Sequence, residues 1–280
     1  MVVICRYGEL FLKGDNRSFF EDTLVQNIRS FMDKHHITGK ICAIRNRILI
    51  ETNEPCPFLS FVFGLTSYSM AQRAEPNLVS LAVSACRLLQ SHQFSSFRVA
   101  AQRLAKNYPF TSHDINVFVG DAVVDAFHTA VDLEHPDIAV GIELMDDTAY
   151  VFLDTSAAPG GLPVGVSGEV AVLFDCPEAE FAALFMMKRG CTPIAVGFEE
   201  PSYQFLPRFF TSSIPFERIY TLSDVSSIAA HYSSPALVVG YVSFDALDLN
   251  NIISIPILSP LIGMNHKEIN HFIPLHETLH

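Results

Sequence analysis

Basic side chains that could contact phosphates are concentrated at the start of the chain. Residues 1–110 hold 13 of the 18 Lys and Arg against 8 acids, whereas residues 111–168 hold 10 acids and no Lys or Arg, and residues 169–280 hold 5 bases against 12 acids. Such side chains bind nucleic-acid phosphates with salt-dependent affinity, because binding releases counterions. The alternative is that they are scattered, solvated surface charges. We predict phosphate contacts from Lys13, Arg17, Arg45, Arg47, Arg73, Arg98, Arg103 and Lys106.

A turn joins a predicted buried strand, residues 169–174, to a predicted helix, about residues 178–189. A glycine-rich turn at this position presents backbone N–H groups to a phosphate at the N-terminus of the helix. The turn here contains no glycine, and its proline lacks an N–H donor. Its two carboxylates oppose both a bound phosphate and a thiolate on the neighbouring cysteine. The residues of this turn are Phe174, Asp175, Cys176, Pro177, Glu178 and Ala179.

No group of residues predicts a metal site. The six cysteines are dispersed, with no Cys-x-x-Cys spacing, so we expect reduced thiols and no disulfide framework. His266, His271, His276 and His280 recur near the C-terminus without a partner cysteine or a fixed ligand spacing. We expect these histidines to have surface or packing roles.

Hydrophobic periodicity predicts three modules that would position these residues. A strand at the N-terminus, a helix over 16–34 and a hairpin around Asn46 form a small α+β unit. A second module begins at Phe58 and contains strands, helices and a hairpin across Asp146 and Asp147. The third alternates buried strands with helices, which predicts a mostly parallel sheet flanked by helices.

A glycine- and proline-rich stretch separates the second and third modules and predicts a flexible or extended linker. The expected domains are residues 1–57, 58–158 and 168–280, joined by the linker at 159–167. The expected fold class is therefore multidomain, combining α+β and α/β modules.

The ends and apolar runs of the sequence favour a cytoplasmic protein without a membrane segment. The N-terminus enters a strand-like run directly and shows no basic region or cleavage site of a secretory signal. The longest apolar stretches, near 138–153 and 252–262, contain charges or prolines. Neither matches the run of about 20 apolar residues that a spanning helix needs.

Four collinear stretches resemble the tRNA 4-thiouridine synthetase (tRNA sulfurtransferase) family, which is also linked to thiamine biosynthesis. They are Arg6 to Arg17, Phe97 to Ser112, Pro159 to Gly165 and Pro260 to Met264. The resemblance covers essentially the whole chain and stops partway through the last domain of the family. It implies an N-terminal ferredoxin-like domain, a THUMP domain that binds tRNA, and a Rossmann-like PP-loop domain related to adenine-nucleotide α-hydrolases.

The third domain departs from the family pattern at its catalytic positions. Active members carry a Ser-Gly-Gly-x-Asp-Ser loop where this chain has residues 174–179, and a Glu-Ser-Leu-Gly-Gln sequence near residues 236–244. They also carry a late persulfide cysteine, whereas the last cysteine here is Cys191, and we expect no rhodanese-like extension. The resemblance therefore implies a degenerate and truncated PP-loop domain.

Three functions follow as hypotheses. The first is a non-catalytic protein that binds tRNA or another structured RNA, acting as an accessory subunit, with no cofactor. The second is a divergent but active tRNA sulfurtransferase, needing ATP and Mg²⁺ and depending on a partner for sulfur or nucleotide chemistry. The third is a protein-interaction subunit whose RNA surface is vestigial. A protein partner on the C-terminal domain and a homodimer are further expectations.

Overall fold

The computed structural model describes residues 1–8, 16–104, 108–243 and 253–271 of the 280-residue chain. The chain divides into two compact units that interleave along the sequence. The first unit contains residues 1–6, 37–56 and 67–157, and the second contains residues 7–36, 57–66 and 158–280. The predicted domains, in contrast, follow one another along the chain. Their bounds stay predictions, because a division into compact units does not test them.

The elements below are numbered in chain order. The strands are β1 (Val2–Tyr7), β2 (Lys40–Ile44), β3 (Arg47–Glu51), β4 (Leu65–Ala74), β5 (Ser96–Arg103), β6 (Ala130–Val131), β7 (Ile138–Met145), β8 (Thr148–Phe152), β9 (Ser156–Ala157), β10 (Glu169–Leu173), β11 (Thr192–Gly197), β12 (Phe216–Arg218), β13 (Leu237–Val239) and β14 (Ile257–Leu258). The α-helices are α1 (Arg17–Lys34), α2 (Leu78–Leu89), α3 (Ser112–Phe127), α4 (Ala179–Lys188), α5 (Asp224–His231) and α6 (His266–His271), and two 3-10 helices cover Pro57–Phe61 and Leu206–Phe209.

The strands of the first unit form a sheet in the order β2-β3-β1-β4-β8-β7-β5-β6, with β9 paired to β4. The predicted hairpin around Asn46 is confirmed, because β2 and β3 pair antiparallel. Arg45 and Asn46 both have the left-handed backbone that a two-residue hairpin turn requires. The predicted hairpin at Asp146 and Asp147 is likewise confirmed by the antiparallel pairing of β7 and β8.

One face of this sheet packs against α2 and α3. Their apolar residues, such as Leu81 and Val119, form one buried cluster with Val140 and Ile142 of β7. Helix α3 begins after Thr111, whose side chain accepts a hydrogen bond from the Asp114 N–H in a capping box.

The opposite face of the sheet holds a second cluster, to which β1, β3, β4, β7 and β8 all contribute. Leu49 of β3 and Met145 of β7 both belong to it, although β1, β4 and β8 lie between their strands in the sheet order. Arg47 of β3 also bonds directly to Glu143 of β7, so the sheet curls and brings β3 against β7.

The second unit is built on a parallel sheet in the order β12-β11-β10-β13-β14. Val170 and Val172 pack in one cluster with α4, while Ala171 and Leu173 pack in another with Val225 of α5. Both faces of β10 are thus covered by helices, which confirms the predicted parallel, helix-flanked sheet.

The second unit also contains α1, although α1 lies near the start of the chain. Phe31 of α1 stacks on Phe58 at 6.0 Å between ring centroids. The Lys34 ammonium donates to the Pro207 and Phe210 carbonyls at 3.0 and 2.5 Å. These contacts attach α1 to the end of the second 3-10 helix.

The predicted linker at 159–167 is hydrogen-bonded into the second unit. The Gly64 N–H donates to the Gly160 carbonyl at 2.8 Å, and the Leu162 N–H donates to the Lys188 carbonyl at 2.9 Å. The Gly165 N–H donates to the Gly190 carbonyl. Its glycines supply left-handed turns that place N–H groups against the end of α4. The flexible or extended linker at these bounds stays a prediction.

In the parts of the chain that the structure describes, no helix is long and apolar enough to cross a bilayer.

Candidate functional site

Glu143 lies between two arginines in the first unit. The Arg6 Nε donates to Glu143 Oε1 at 2.6 Å, and the Arg47 Nε donates to Oε2 at 2.8 Å. All three side chains are at least 85% buried. Arg6 and Arg47 are directly opposite each other on β1 and β3, so without a carboxylate between them their like charges would repel.

Arg47 therefore lies inside the fold and not on its surface. Its second guanidinium nitrogen donates to Gln102 Oε1 at 3.1 Å, and its third donates to the Asn46 carbonyl. These contacts occupy the guanidinium, and we leave Arg47 out of the phosphate-binding proposal. The sequence alone did not show that Arg47 is buried, and it therefore grouped Arg47 with the exposed arginines.

Three more of the predicted residues are paired with carboxylates. Arg45 donates to Asp146 Oδ1 at 2.8 and 2.5 Å, which joins the tips of the two hairpins. Arg73 of β4 donates to the Glu51 carboxylate at the end of β3. In the second unit, Arg17 donates to Glu21 one helical turn away. Each pair offsets positive charge that would otherwise face a phosphate.

Arg98 and Arg103 instead bond to neutral carbonyl groups. Arg98 Nη1 donates to the Leu133 carbonyl at 3.3 Å, and Arg103 Nη1 donates to the Tyr108 and Phe110 carbonyls at 3.2 and 2.9 Å. Because a carbonyl carries no net charge, these bonds do not offset either guanidinium charge. The Arg98 side chain is exposed, whereas Arg103 also lies near the Asp114 carboxylate and helps to lower its pKa. The remaining predicted residues, Lys13 and Lys106, lie outside the described residues.

The candidate nucleotide turn lies at the topological switch point of the parallel sheet. Strand β10 lies between β11 and β13, and the chain order of the strands reverses there. Ligands of such sheets bind in the crevice beyond the carboxyl ends of the two strands. The turn at residues 174–178 follows β10, and Gly240 follows β13.

Gly240 lets this turn pack directly against the end of β13. A Cβ atom on Gly240 would lie 2.5 Å from the Ala179 nitrogen and 2.8 Å from the Cys176 Sγ. These distances are shorter than van der Waals contact, so the turn fills the space beside the strand. The Tyr241 hydroxyl then donates to Asp175 Oδ2.

The Cys176 thiol is half-buried within this turn. Burial and, to a smaller extent, the neighbouring Asp175 and Glu178 carboxylates raise its pKa to about 11, although nearby backbone N–H groups lower it. A thiol reacts as the thiolate, which this environment disfavours.

Glu180 is a buried carboxylate at this site that the sequence analysis did not single out. Its Oε1 accepts hydrogen bonds from the backbone N–H groups of Gln204, Phe205 and Leu206 at 2.8, 3.4 and 3.3 Å. Burial nevertheless raises the Glu180 pKa. Its partners follow it by at least 24 residues, so no local pattern identifies them.

Carboxylates and aromatic rings together line a cavity of about 390 Å³ at this end of the sheet. Asp175, Glu178 and Glu180 contribute carboxylates, and Phe174 and Phe181 contribute rings. None of the ion pairs formed by described residues includes these acids. A polyphosphate entering here would meet negative charge that no arginine or lysine of those pairs offsets.

Among residues with described side chains, no three His, Cys, Asp or Glu groups are arranged to hold a metal ion. His276 and His280 lie outside the described residues.

Comparisons with known proteins agree with this architecture. A model of the ThiI ferredoxin-like domain matches residues 2–69, and a model of the THUMP domain matches residues 77–154. A probable tRNA sulfurtransferase of Thermococcus kodakarensis is 37% identical over 207 residues, which cover 70% of this chain and 54% of the relative. The matched region thus spans about half the length of that relative.

Two solved structures share the fold. PH1313 from Pyrococcus horikoshii superposes with a TM-score of 0.86 at 26% identity, covering 96% of this chain and 97% of that one. A 4-thiouridine synthetase, solved in complex with RNA and bound ATP, superposes with a TM-score of 0.77 at 23% identity, covering 96% of this chain and 83% of that one. The predicted fold class of ferredoxin-like, THUMP and C-terminal α/β modules is confirmed. With its two matching domain models and its sulfurtransferase relatives, the chain belongs to the tRNA 4-thiouridine synthetase (tRNA sulfurtransferase) family.

Proposed function

We propose that this protein binds tRNA through its ferredoxin-like and THUMP domains and does not carry out ATP-dependent adenylation or sulfur transfer. It acts as an RNA-binding or accessory subunit in tRNA modification. A cytoplasmic location goes with this proposal, and a homodimer and a partner on the C-terminal domain remain predictions of the sequence.

The turn at the switch point of the parallel sheet is the observation that carries the non-catalytic part of the proposal. The turn after β10 packs onto Gly240, and Asp175 is held there by Tyr241. The residues do not fit a nucleotide phosphate, because the turn offers carboxylates and a proline where backbone N–H groups of glycines would be needed. Asp175 and Glu178 would repel it.

The domain content supports the RNA-binding part. A THUMP domain matches the first unit, and the related 4-thiouridine synthetase was solved with RNA. Within that unit the Arg98 and Arg103 guanidinium groups donate to neutral backbone carbonyls, and Arg98 is exposed. We expect shape recognition of a structured RNA and not the reading of a base sequence.

The test is a filter-binding titration with tRNA over a range of salt concentrations. Arg98→Ala removes one phosphate contact, so the slope of log K against log salt should fall in magnitude by about 1. Arg218→Ala is the matched control: it makes the same change in net charge at an exposed arginine of the second unit. Absence of tRNA binding at low salt would reject the proposal and favour the protein-interaction hypothesis.

An active sulfurtransferase is the second candidate, and the names of the relatives favour it. This enzyme would serve tRNA thiolation or thiamine biosynthesis and would need ATP with Mg²⁺. Calorimetry with Mg-ATP separates the two candidates. We expect no saturable heat, whereas a single saturable site would overturn the non-catalytic proposal.

A further inference from the structure

Helix α2 has an unusual surface for a helix that lies on the outside of a sheet. Its twelve residues include a single charged side chain, Arg87. An outer helix ordinarily presents a polar face to water, and one that is apolar all round is ordinarily covered. On α2 the outward positions hold Val79 and Val83, whose side chains are 64% and 54% exposed.

A groove runs beside these valines between α2 and α3. It has a volume of about 350 Å³ and is lined by Ala82, Val83 and Cys86 of α2 and by Ala122 of α3, with Arg87 and Gln90 at one end. The Cys86 thiol donates to the Ala122 carbonyl, so the two helices are in direct contact there. The apolar surface continues along α3, where Val117 and Phe118 are 47% and 39% exposed.

The charges around the groove indicate what can cover it. Helix α3 carries Asp114, Asp121 and Asp125 and no Lys or Arg, and all three acids are exposed. Asp121 and Asp125 lie one and three residues from Ala122, which lines the groove. Arg87 places one positive charge at one end of the groove. The acids of α3 outnumber it, so an RNA would be repelled, whereas a peptide with basic side chains would be attracted.

We propose that the groove between α2 and α3 is a docking site for an amphipathic, basic helix of a protein partner. Apolar residues spaced three and four apart on that helix would cover Val79, Val83 and Phe118, as in other helix-in-groove complexes. Its lysines or arginines would face Asp121 and Asp125. This interaction is independent of the proposed tRNA binding, because it uses no arginine assigned to phosphate contacts.

The test uses a synthetic 18-residue helical peptide with leucines on one face, lysines on the other and one tryptophan. The protein contains no tryptophan, so the fluorescence anisotropy of the peptide reports binding directly. Val83→Lys places a positive charge in the groove at an exposed position and should weaken binding roughly tenfold, as loss of a central interface side chain does. A peptide of the same pattern with glutamates in place of lysines should also bind more weakly.

Leu133→Lys is the control, since this leucine is 69% exposed and does not line the groove. We expect peptide binding by this variant to equal that of the unmodified protein, and circular dichroism should show both variants folded. Equal binding of the peptide by the Val83→Lys and Leu133→Lys variants would overturn the proposal. So would a dimer in sedimentation equilibrium that Val83→Lys dissociates, because the occupant would then be a second copy. The tRNA affinity of the Val83→Lys variant is measured as well. We expect it to be unchanged, because the docking proposal concerns the peptide and the proposed function concerns tRNA, and the two can therefore fail separately.

Discussion

Glu143 holds Arg47 at 2.8 Å from Nε to Oε2, although 96 residues separate them in the sequence. The same carboxylate holds Arg6 through its other oxygen. Strands of the ferredoxin-like module are thereby joined to a THUMP strand at one buried group. The arginines that the sequence suggested as ligands for RNA therefore divide into structural residues, such as Arg47, and residues that keep their charge, such as Arg98.

Glu143→Gln should strongly destabilise the first unit. The substitution keeps the shape of the side chain but leaves two buried guanidinium groups without a counter-charge, which costs about 3 kcal/mol. The free energy of unfolding from urea titration measures this loss. Asp146→Asn is the control, because it removes the exposed partner of Arg45 and should cost less than about 1 kcal/mol. Equal losses in the two variants would contradict the buried role of Glu143.

Gly141→Ala should also destabilise the protein. A Cβ atom at Gly141 would lie 2.1 Å from Cε2 of Phe152, and this ring lies 4.8 Å from the Arg6 guanidinium carbon. The ring would have to move away from both neighbours, at a cost of about 1 to 3 kcal/mol in unfolding free energy.

Gly120→Ala should have the opposite effect on unfolding free energy. Gly120 lies inside α3, and a Cβ atom there would meet no atom within 4 Å. Alanine is favoured over glycine in a helix interior by about 1 kcal/mol. Thermal unfolding of both glycine variants provides the comparison, and a loss of stability in Gly120→Ala would show that the space beside α3 is not free.

Asp137→Asn should flatten the loss of stability in acid. Asp137 accepts hydrogen bonds from the Ser95 and Ser96 N–H groups, which lower its pKa in the folded protein. Its stabilising contribution is complete above the unfolded pKa of about 3.9 and is lost as the pH falls through the lower folded pKa. The amide oxygen of asparagine keeps acceptor geometry without titrating. Urea titrations at a series of pH values below 5 test this, and identical acid profiles for the two proteins would refute it.

Cys176 should react slowly with iodoacetamide. With its pKa raised to about 11, only about one thiol in a thousand is ionised at pH 8. Mass spectrometry of the modified protein gives the rate at this cysteine. Glu178→Gln removes one of the carboxylates that raise this pKa, and should speed the reaction. Rapid modification of the unchanged protein would instead identify a reactive thiol and revive a catalytic role for the turn.

Local patterns in the sequence predicted the elements well. The helices that the pattern predicted in the second module are present, and in α2 both the periodicity of the apolar residues and the cap are local. The left-handed hairpin turn at Arg45 and Asn46 is equally local. The parallel sheet of the second unit followed from the alternation of strands and helices.

Contacts distant in sequence could not be predicted in this way. The Arg6–Glu143 pair spans 137 residues, and no periodicity reports it. Arg6 and Tyr7 are neighbours in β1, and successive side chains of a strand point to opposite faces. Arg6 belongs to the first unit, whereas Tyr7 belongs to the second unit and bonds to Glu21 there. Glu180 was missed for the same reason, since its partners lie just before a later 3-10 helix and at its first residue.

By itself the sequence determined the types and order of the elements, the family and the loss of glycine from the nucleotide turn. These depend on residue types and on spacing within a few positions of the chain. Only the tertiary structure decided which charges are neutralised, because an ion pair depends on distance in space and on burial, and its partners here lie 96 and 137 residues apart. The tertiary structure also decided that the turn after β10 packs against Gly240 at the end of β13, because these two strands become neighbours only in the folded sheet.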